Sequence, residues 1–316
     1  MKFGVMLPHY RHVADPDGII RIAQEAESMG FHSVWVSDHV VVPDDMVERF
    51  GRGYYDMFSV LGYVASITKR VQLGTSIVIM PLRHPLHTAQ VAATVDQLSK
   101  GRLILGVGVG VAKREFECLN ASWDDRGAIT DEAIEALRHA WTVDPVNFEG
   151  KFFDFSGIQS YPPPFQKPHP PIWVGGGSRR SLRRAAELGD AWGPTRPSFR
   201  LLEESIPRLR EMAERAGRDP SSIKLAARHP MKVMDETPGR HMEATMPSHG
   251  MPETWPLVDT APRIVESVGR FQELGVHHLV MDTFYSLPDL HHETIDTLVA
   301  TMEKFARDVI PQFPEE

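Results

Sequence analysis

Pro171-Ile-Trp-Val-Gly-Gly-Gly-Ser178-Arg-Arg-Ser-Leu-Arg-Arg-Ala-Ala-Glu-Leu188 has the pattern of a short buried strand, a glycine turn and the opening of a helix. Ile172, Trp173 and Val174 form a compact apolar run, bounded by Pro171 and by Gly175, Gly176 and Gly177. Ser178 is a suitable N-cap, and Leu182, Ala185, Ala186 and Leu188 give the helix an apolar side. A helix N-terminus presents unpaired N–H groups and partial positive charge, and glycines before it let a phosphate approach the backbone. Taken alone, the run has two readings: a phosphate cradle, or a glycine-rich connection that binds nothing.

The same strand–helix unit recurs on both sides of this stretch. Strands are predicted at Phe3–Leu7, Ser33–Ser37, Val71–Ile79, Leu103–Val107, Ile172–Val174, Asp190–Gly193, Ile223–Ala227 and Leu279–Asp282, with helical spacing between most of them. Strands that alternate with helices run parallel, because parallel neighbours need a crossover. Eight such units favour a closed (β/α)8 barrel, a TIM barrel of the α/β class, over an open doubly wound sheet. Two stretches interrupt the rhythm and are expected as insertions after strands 4 and 7. The first holds a helix around Ile129–Trp141, a hairpin over Val146–Ile158 and a proline-rich crossing from Pro162 to Pro171. The second, Met231–Pro256, has no clear periodicity and reads as a lid or as a plain loop. No segment reads as a domain linker, so residues 1–316 are expected to form a single domain.

Composition narrows the partners. The chain has 316 residues, 42% of them hydrophobic and 24% charged, which is ordinary for a globular protein. A formal net charge of -8 without a long basic run argues against nucleic acid. Cys118 is the single cysteine, so no disulfide framework or thiolate zinc cluster is expected, and Cys118 itself reads as a small core residue. The His277-His278 and His291-His292 pairs lack metal-ligand spacing, so no metal is expected. A strand begins at once and no stretch is long enough to span a bilayer, which points to a cytoplasmic protein. Arg179, Arg180, Arg183 and Arg184 fit either an anionic tail or a solvated face paired with Glu187.

A barrel places its chemistry at the C-terminal ends of its strands. The unusual residues fall there: Pro8 and His9, Asp38 and His39, Thr75 and Ser76, Gly108 and Gly110, Gly175–Ser178, Thr195, His229, and Asp282 with Thr283. Gly106-x-Gly-x-Gly110 lacks the spacing of a dinucleotide fingerprint. Asp38-His39 is more informative, because histidine is the usual acid–base group near neutral pH and a neighbouring carboxylate can orient a ligand.

Several runs in one order resemble the bacterial luciferase-like monooxygenase superfamily, and most closely its coenzyme F420-dependent oxidoreductase branch. They are Gly30-Phe-His-Ser-Val-Trp-Val-Ser-Asp-His39, Val71-Gln-Leu-Gly-Thr-Ser-Ile77, Arg83-His-Pro85, Leu98-Ser-Lys-Gly-Arg-Leu-Ile-Leu-Gly-Val-Gly108, Pro170-Pro-Ile-Trp-Val-Gly-Gly176 and Leu188-Gly-Asp-Ala-Trp192. The resemblance implies a (β/α)8 barrel that moves a hydride between coenzyme F420 and a small organic substrate. It implies that Asp38 binds the cofactor ring and that His39 gives or takes a proton. It also implies a non-proline cis peptide at Ser76–Ile77 behind the ring, with Ile79 close by and Val109 and Gly110 on its border. Gly176, Gly177, Ser178 and Ser181 would hold the phosphate, and Val40–Asp56 and Met231–Pro256 would wall the pocket. In the sugar-phosphate dehydrogenase branch a glutamate follows the Gly-x-Gly-x-Gly turn; here Val111 stands there, so that substrate is not expected and His39 is left as the proton-transfer residue. The alternatives are an FMN-dependent monooxygenase and a catalytically silent flavin-binding paralogue. A homodimer is compatible with the resemblance.

Overall fold

A computed structural model describes residues 1–237, 255–283 and 293–314. In chain order its strands are β1 (Lys2–Met6), β2 (Ser33–Val36), β3 (Gln72–Thr75), β4 (Val78–Ile79), β5 (Leu103–Gly108), β6 (Val146–Glu149) and β7 (Asp154–Ile158). There follow β8 (Ile172–Gly175), β9 (Ala191–Gly193), β10 (Lys224–Pro230), β11 (Lys232–Met234), β12 (Val258–Thr260) and β13 (His278–Asp282). The main sheet runs β3-β2-β1-β13-β10-β9-β8-β5-β4, and pairing of β3 with β5 closes it. Since β3 and β4 are two halves of one barrel strand, the nine segments form a parallel barrel of eight. The predicted (β/α)8 architecture is therefore the observed one. Strands buried on both faces need apolar side chains throughout, which is why Val34-Trp35-Val36 and Leu103–Val107 read as continuous runs.

The barrel interior is filled by large rings set against glycines. Trp35 packs on Trp173 with ring centroids 5.1 Å apart. Its Nε1 donates to Ser33 Oγ at 2.6 Å, and Ser33 Oγ lies 2.7 Å from His278 Nε2. His278 is thus a core histidine. A Cβ built at Gly74 would lie 2.2 Å from the Trp35 ring. Gly74→Ala is expected to destabilise the protein by about 1–3 kcal/mol, because a close-packed core must shift to admit the methyl group. A thermal midpoint equal to the parent's would show that Trp35 is free to move.

The third strand departs from the predicted continuous run Val71–Ile79. Gly74 pairs with Ile104 and Val78 with Val107, so four steps along one strand face three along the other. The extra residue makes a bulge, and the Ser76–Ile77 peptide within it is cis. Glycines on the neighbouring strands give the bulge room. A Cβ at Gly106 would lie 1.9 Å from Thr75 O, and one at Gly108 or Gly175 would lie 2.8 Å from Ile77.

The insertions fall after the fourth and seventh barrel strands, as expected. The first contains the helix Arg126–Thr142 and the antiparallel β6–β7 hairpin. In the second, β11 pairs in parallel with β12. Most of the Met-rich segment, residues 238–254, lies outside the described residues, as do His291 and His292. Cys118 corrects the expectation of a core residue, because it is exposed. The helix Lys113–Cys118 turns Glu115 and Phe116 inward and leaves Cys118 on the outer side. Among the described residues no helix is long and apolar enough to cross a membrane, and no cluster of His, Cys, Asp or Glu could hold a metal ion.

Candidate active site

The C-terminal strand ends enclose a pocket of about 320 Å³. Of the residues singled out from sequence, Asp38, His39, Ser76, Ile77, Ile79, Val109, Gly110, Gly176 and Gly177 line it. Ser178 and Ser181 lie just beyond the lining, at the start of the helix Arg179–Leu188.

His39 stands against a carboxylate that sequence reading missed. Its Nδ1 is 2.7 Å from Glu115 Oε2. The other oxygen, Oε1, accepts from the Val40 N–H at 2.7 Å and the Val41 N–H at 3.4 Å. Glu115 is fully buried, so its charge is balanced by these donors rather than by water. A carboxylate facing Nδ1 holds the proton there and leaves Nε2 as the nitrogen able to exchange one. Phe50 and Tyr54 pack on the His39 ring at 4.4 and 4.9 Å between centroids. Tyr54 in turn stacks on Tyr10 at 4.5 Å. The Val40–Asp56 stretch thus supplies pocket wall, as predicted, through Phe50 and Tyr54.

Asp38 borders the pocket, but its oxygens are engaged by protein donors. Arg83 Nη1 and Nη2 donate to Oδ2 and Oδ1 at 2.5 and 2.8 Å, and the Ile79 N–H donates to Oδ2 at 2.8 Å. Burial raises the Asp38 carboxyl above the usual carboxylate value, while the Arg83 guanidinium and the Ile79 N–H oppose the rise. Asp38 therefore pins the end of β4 to the rim.

The glycine turn has the capped geometry its sequence suggested. Ser178 Oγ accepts from the Ser181 N–H at 3.2 Å, and Ser181 Oγ donates to Ser178 O at 2.7 Å. Gly176 has φ +106, a conformation L side chains rarely adopt, and its carbonyl accepts from Trp192 Nε1 at 2.8 Å. Arg183 and Arg184 both pair with Asp131, and Arg183 also pairs with Glu187, so these two serve an ion-pair network rather than an anionic tail.

Two histidines expected near the rim do not reach the pocket. His9 is buried, with Nδ1 2.8 Å from Leu7 O and Nε2 receiving the Ser37 N–H at 2.9 Å. His229 is buried against Phe271, because alternation along β10 turns it outward and Arg228 inward. Arg228 lines the pocket and was missed by sequence reading, as were Arg11 and Arg196.

A closed parallel barrel with a histidine–carboxylate pair on its C-terminal rim is the frame of a barrel enzyme. The luciferase-like monooxygenase family matches residues 1–249, and the chain belongs to that family. The F420-dependent glucose-6-phosphate dehydrogenase of Gordonia bronchialis is 30% identical over 305 residues, covering 84% of this chain and 87% of its own. The phthiodiolone/phenolphthiodiolone dimycocerosates ketoreductase of Mycobacterium tuberculosis is 32% identical over 221 residues, 64% of this chain and 57% of its own. In fold, the monooxygenase RslO1 from Streptomyces bottropensis superposes with a TM-score of 0.82 at 23% identity, covering 99% of this chain and 100% of that one. An F420-dependent secondary alcohol dehydrogenase superposes at 0.79 and 23% identity, covering 99% of each chain.

Proposed function

We propose that this protein is a coenzyme F420-dependent oxidoreductase that transfers a hydride between the deazaflavin and a small organic substrate, with His39 exchanging the accompanying proton. The observation that carries this reading is His39 in the wall of the glycine-lined pocket, held from behind by the buried Glu115. The family and the F420-dependent Gordonia relative support the cofactor.

The residues present fit such a group. Gly108, Gly110, Gly175 and Gly176 line the pocket, and a Cβ on any of them would crowd a neighbour at 3.1 Å or less. These glycines let Ile77, Ile79 and Ser181 pack closely against the wall, and having no side chains they take no pocket space from a flat ligand. Ile77 and Val109 would lie against the ring, and Gly176, Gly177, Ser178 and Ser181 would hold the phosphate at the helix N-terminus. Asp38 would act on the ring through the wall it pins, rather than by a direct bond. Bound there, the coenzyme supplies a two-electron carrier that accepts or delivers a hydride. The chain's own part is to orient, to exclude water with Phe50 and Tyr54, and to move a proton at His39 Nε2.

Titration of the purified protein with F420 and with FMN tests the assignment. Tight FMN binding with no F420 affinity would overturn it in favour of a flavin monooxygenase. Ser178→Ala is expected to weaken F420 binding more than binding of the same deazaflavin without its phosphate. An equal loss for both ligands would remove the phosphate role from this turn.

A further inference from the structure

Arg228 projects from β10 into the barrel. It lines the mouth pocket and also a small cavity of about 20 Å³ beneath it, beside Trp35 and Trp173. It therefore forms floor between the two. Its Nη1 donates to Ser76 O at 3.0 Å, and its Nη2 donates to Asp282 Oδ2 at 2.5 Å. The Arg228 side chain is 12% exposed and that of Asp282 1%, so the ion pair is a fixed dipole with its positive end toward the pocket. Asp282 Oδ1 has no hydrogen-bond partner among the described residues. A buried pair with an oxygen left unsatisfied contributes little to stability, so stability alone does not account for it.

We propose that Arg228, backed by Asp282, sets the balance between the two redox states of the cofactor in this pocket and favours the reduced one. The inference rests on the proposed deazaflavin function. Taking up a hydride adds two electrons and one proton, so the bound group gains one negative charge unless a second proton follows. A fixed guanidinium in a water-poor floor favours the more negative state, and it needs no rearrangement to do so. Asp282 holds the guanidinium in place and limits how much positive potential reaches the pocket.

The test is titration of the full chain with oxidised and with reduced F420, followed by fluorescence. Arg228→Gln keeps a donor for Ser76 O but removes the charge. It is expected to weaken the reduced form about tenfold more than the oxidised form, which lowers the bound two-electron potential by about 30 mV. Asp282→Asn is expected to shift the ratio the other way, and Arg228→Lys to leave it near the parent value. Parallel losses for both forms in Arg228→Gln, or a shift of the same sign in Asp282→Asn, would overturn the inference and leave a packing role. If one variant does not fold, the sign in the other still decides. A parent protein that binds neither form sinks the proposed function and this inference together. A parent that binds both, with the ratio unchanged in the variants, sinks this inference alone.

Discussion

His39→Ala is expected to lower turnover by about 10²- to 10⁴-fold, the usual contribution of a positioned acid–base group, while F420 affinity changes little. The expectation follows from the geometry around the ring. Glu115 Oε2 fixes the Nδ1 proton, and Phe50 and Tyr54 hold the ring in the pocket wall. Glu115→Gln sharpens the test. An amide can accept through one atom only, so it cannot serve both the histidine and the Val40 and Val41 N–H groups as the carboxylate does. If the amide oxygen stays on the backbone, its NH2 faces Nδ1 and the ring takes the opposite tautomer. In a Ser-His-Asp triad the analogous exchange costs about 10⁴ in kcat. Glu115→Gln should therefore reduce kcat with KM for F420 nearly unchanged and should displace the pH–rate profile. Unchanged turnover in His39→Ala would remove His39 from the mechanism, and an undisplaced profile in Glu115→Gln would confine Glu115 to a structural role.

The second large effect concerns acid. Burial lowers His9 to about 4, His229 to about 3 and His277 to about 4, and it pushes His278 well below the ordinary value of 6.5. These groups stay neutral in the folded chain and bind protons once it unfolds. The stability linked to them is thus fully present above pH 6.5 and is lost as pH falls toward 4. His9, His229 and His278 are essentially without solvent contact. Each such histidine is expected to cost about 2 kcal/mol by pH 5, against a total stability on the order of 5–15 kcal/mol. The denaturant midpoint should fall steeply between pH 6.5 and pH 5. His229→Phe should flatten that slope by about one proton. A midpoint constant across this interval would show that the buried rings are protonated in the folded state.

Much of the barrel was legible because parallel strands are buried on both faces. Val34-Trp35-Val36 and Ile172-Trp173-Val174 carry apolar side chains at every position, and such runs survive without any knowledge of their neighbours. The glycine turn and its serine cap were legible for a similar reason, since both are local. The bulge in the third strand was not, because Gln72–Ile79 is split by its register against Leu103–Gly108. Glu115 was also missed. It is one of two glutamates in Arg114-Glu-Phe-Glu117, and only the packing of that short helix decides which one turns toward His39. Arg228 and Ser76 meet across 152 residues of sequence. Cys118 was misplaced for the same reason as Glu115: a six-residue helix has too little periodicity to declare its inner face.

Glu115 also bears on how this enzyme could be altered. One of its oxygens meets the His39 ring and the other fastens the backbone at Val40 and Val41, so under the proposed function proton transfer and loop architecture depend on a single residue. Mutations there, or insertions between His39 and Val41, would be read in a screen as loss of function whatever substrate was offered. Val111 is the contrasting position: it is 61% exposed and lies in the same pocket outside that linkage. A library that varies Val111 and leaves the carboxylate alone can change what enters the pocket without disturbing the His39–Glu115 contact.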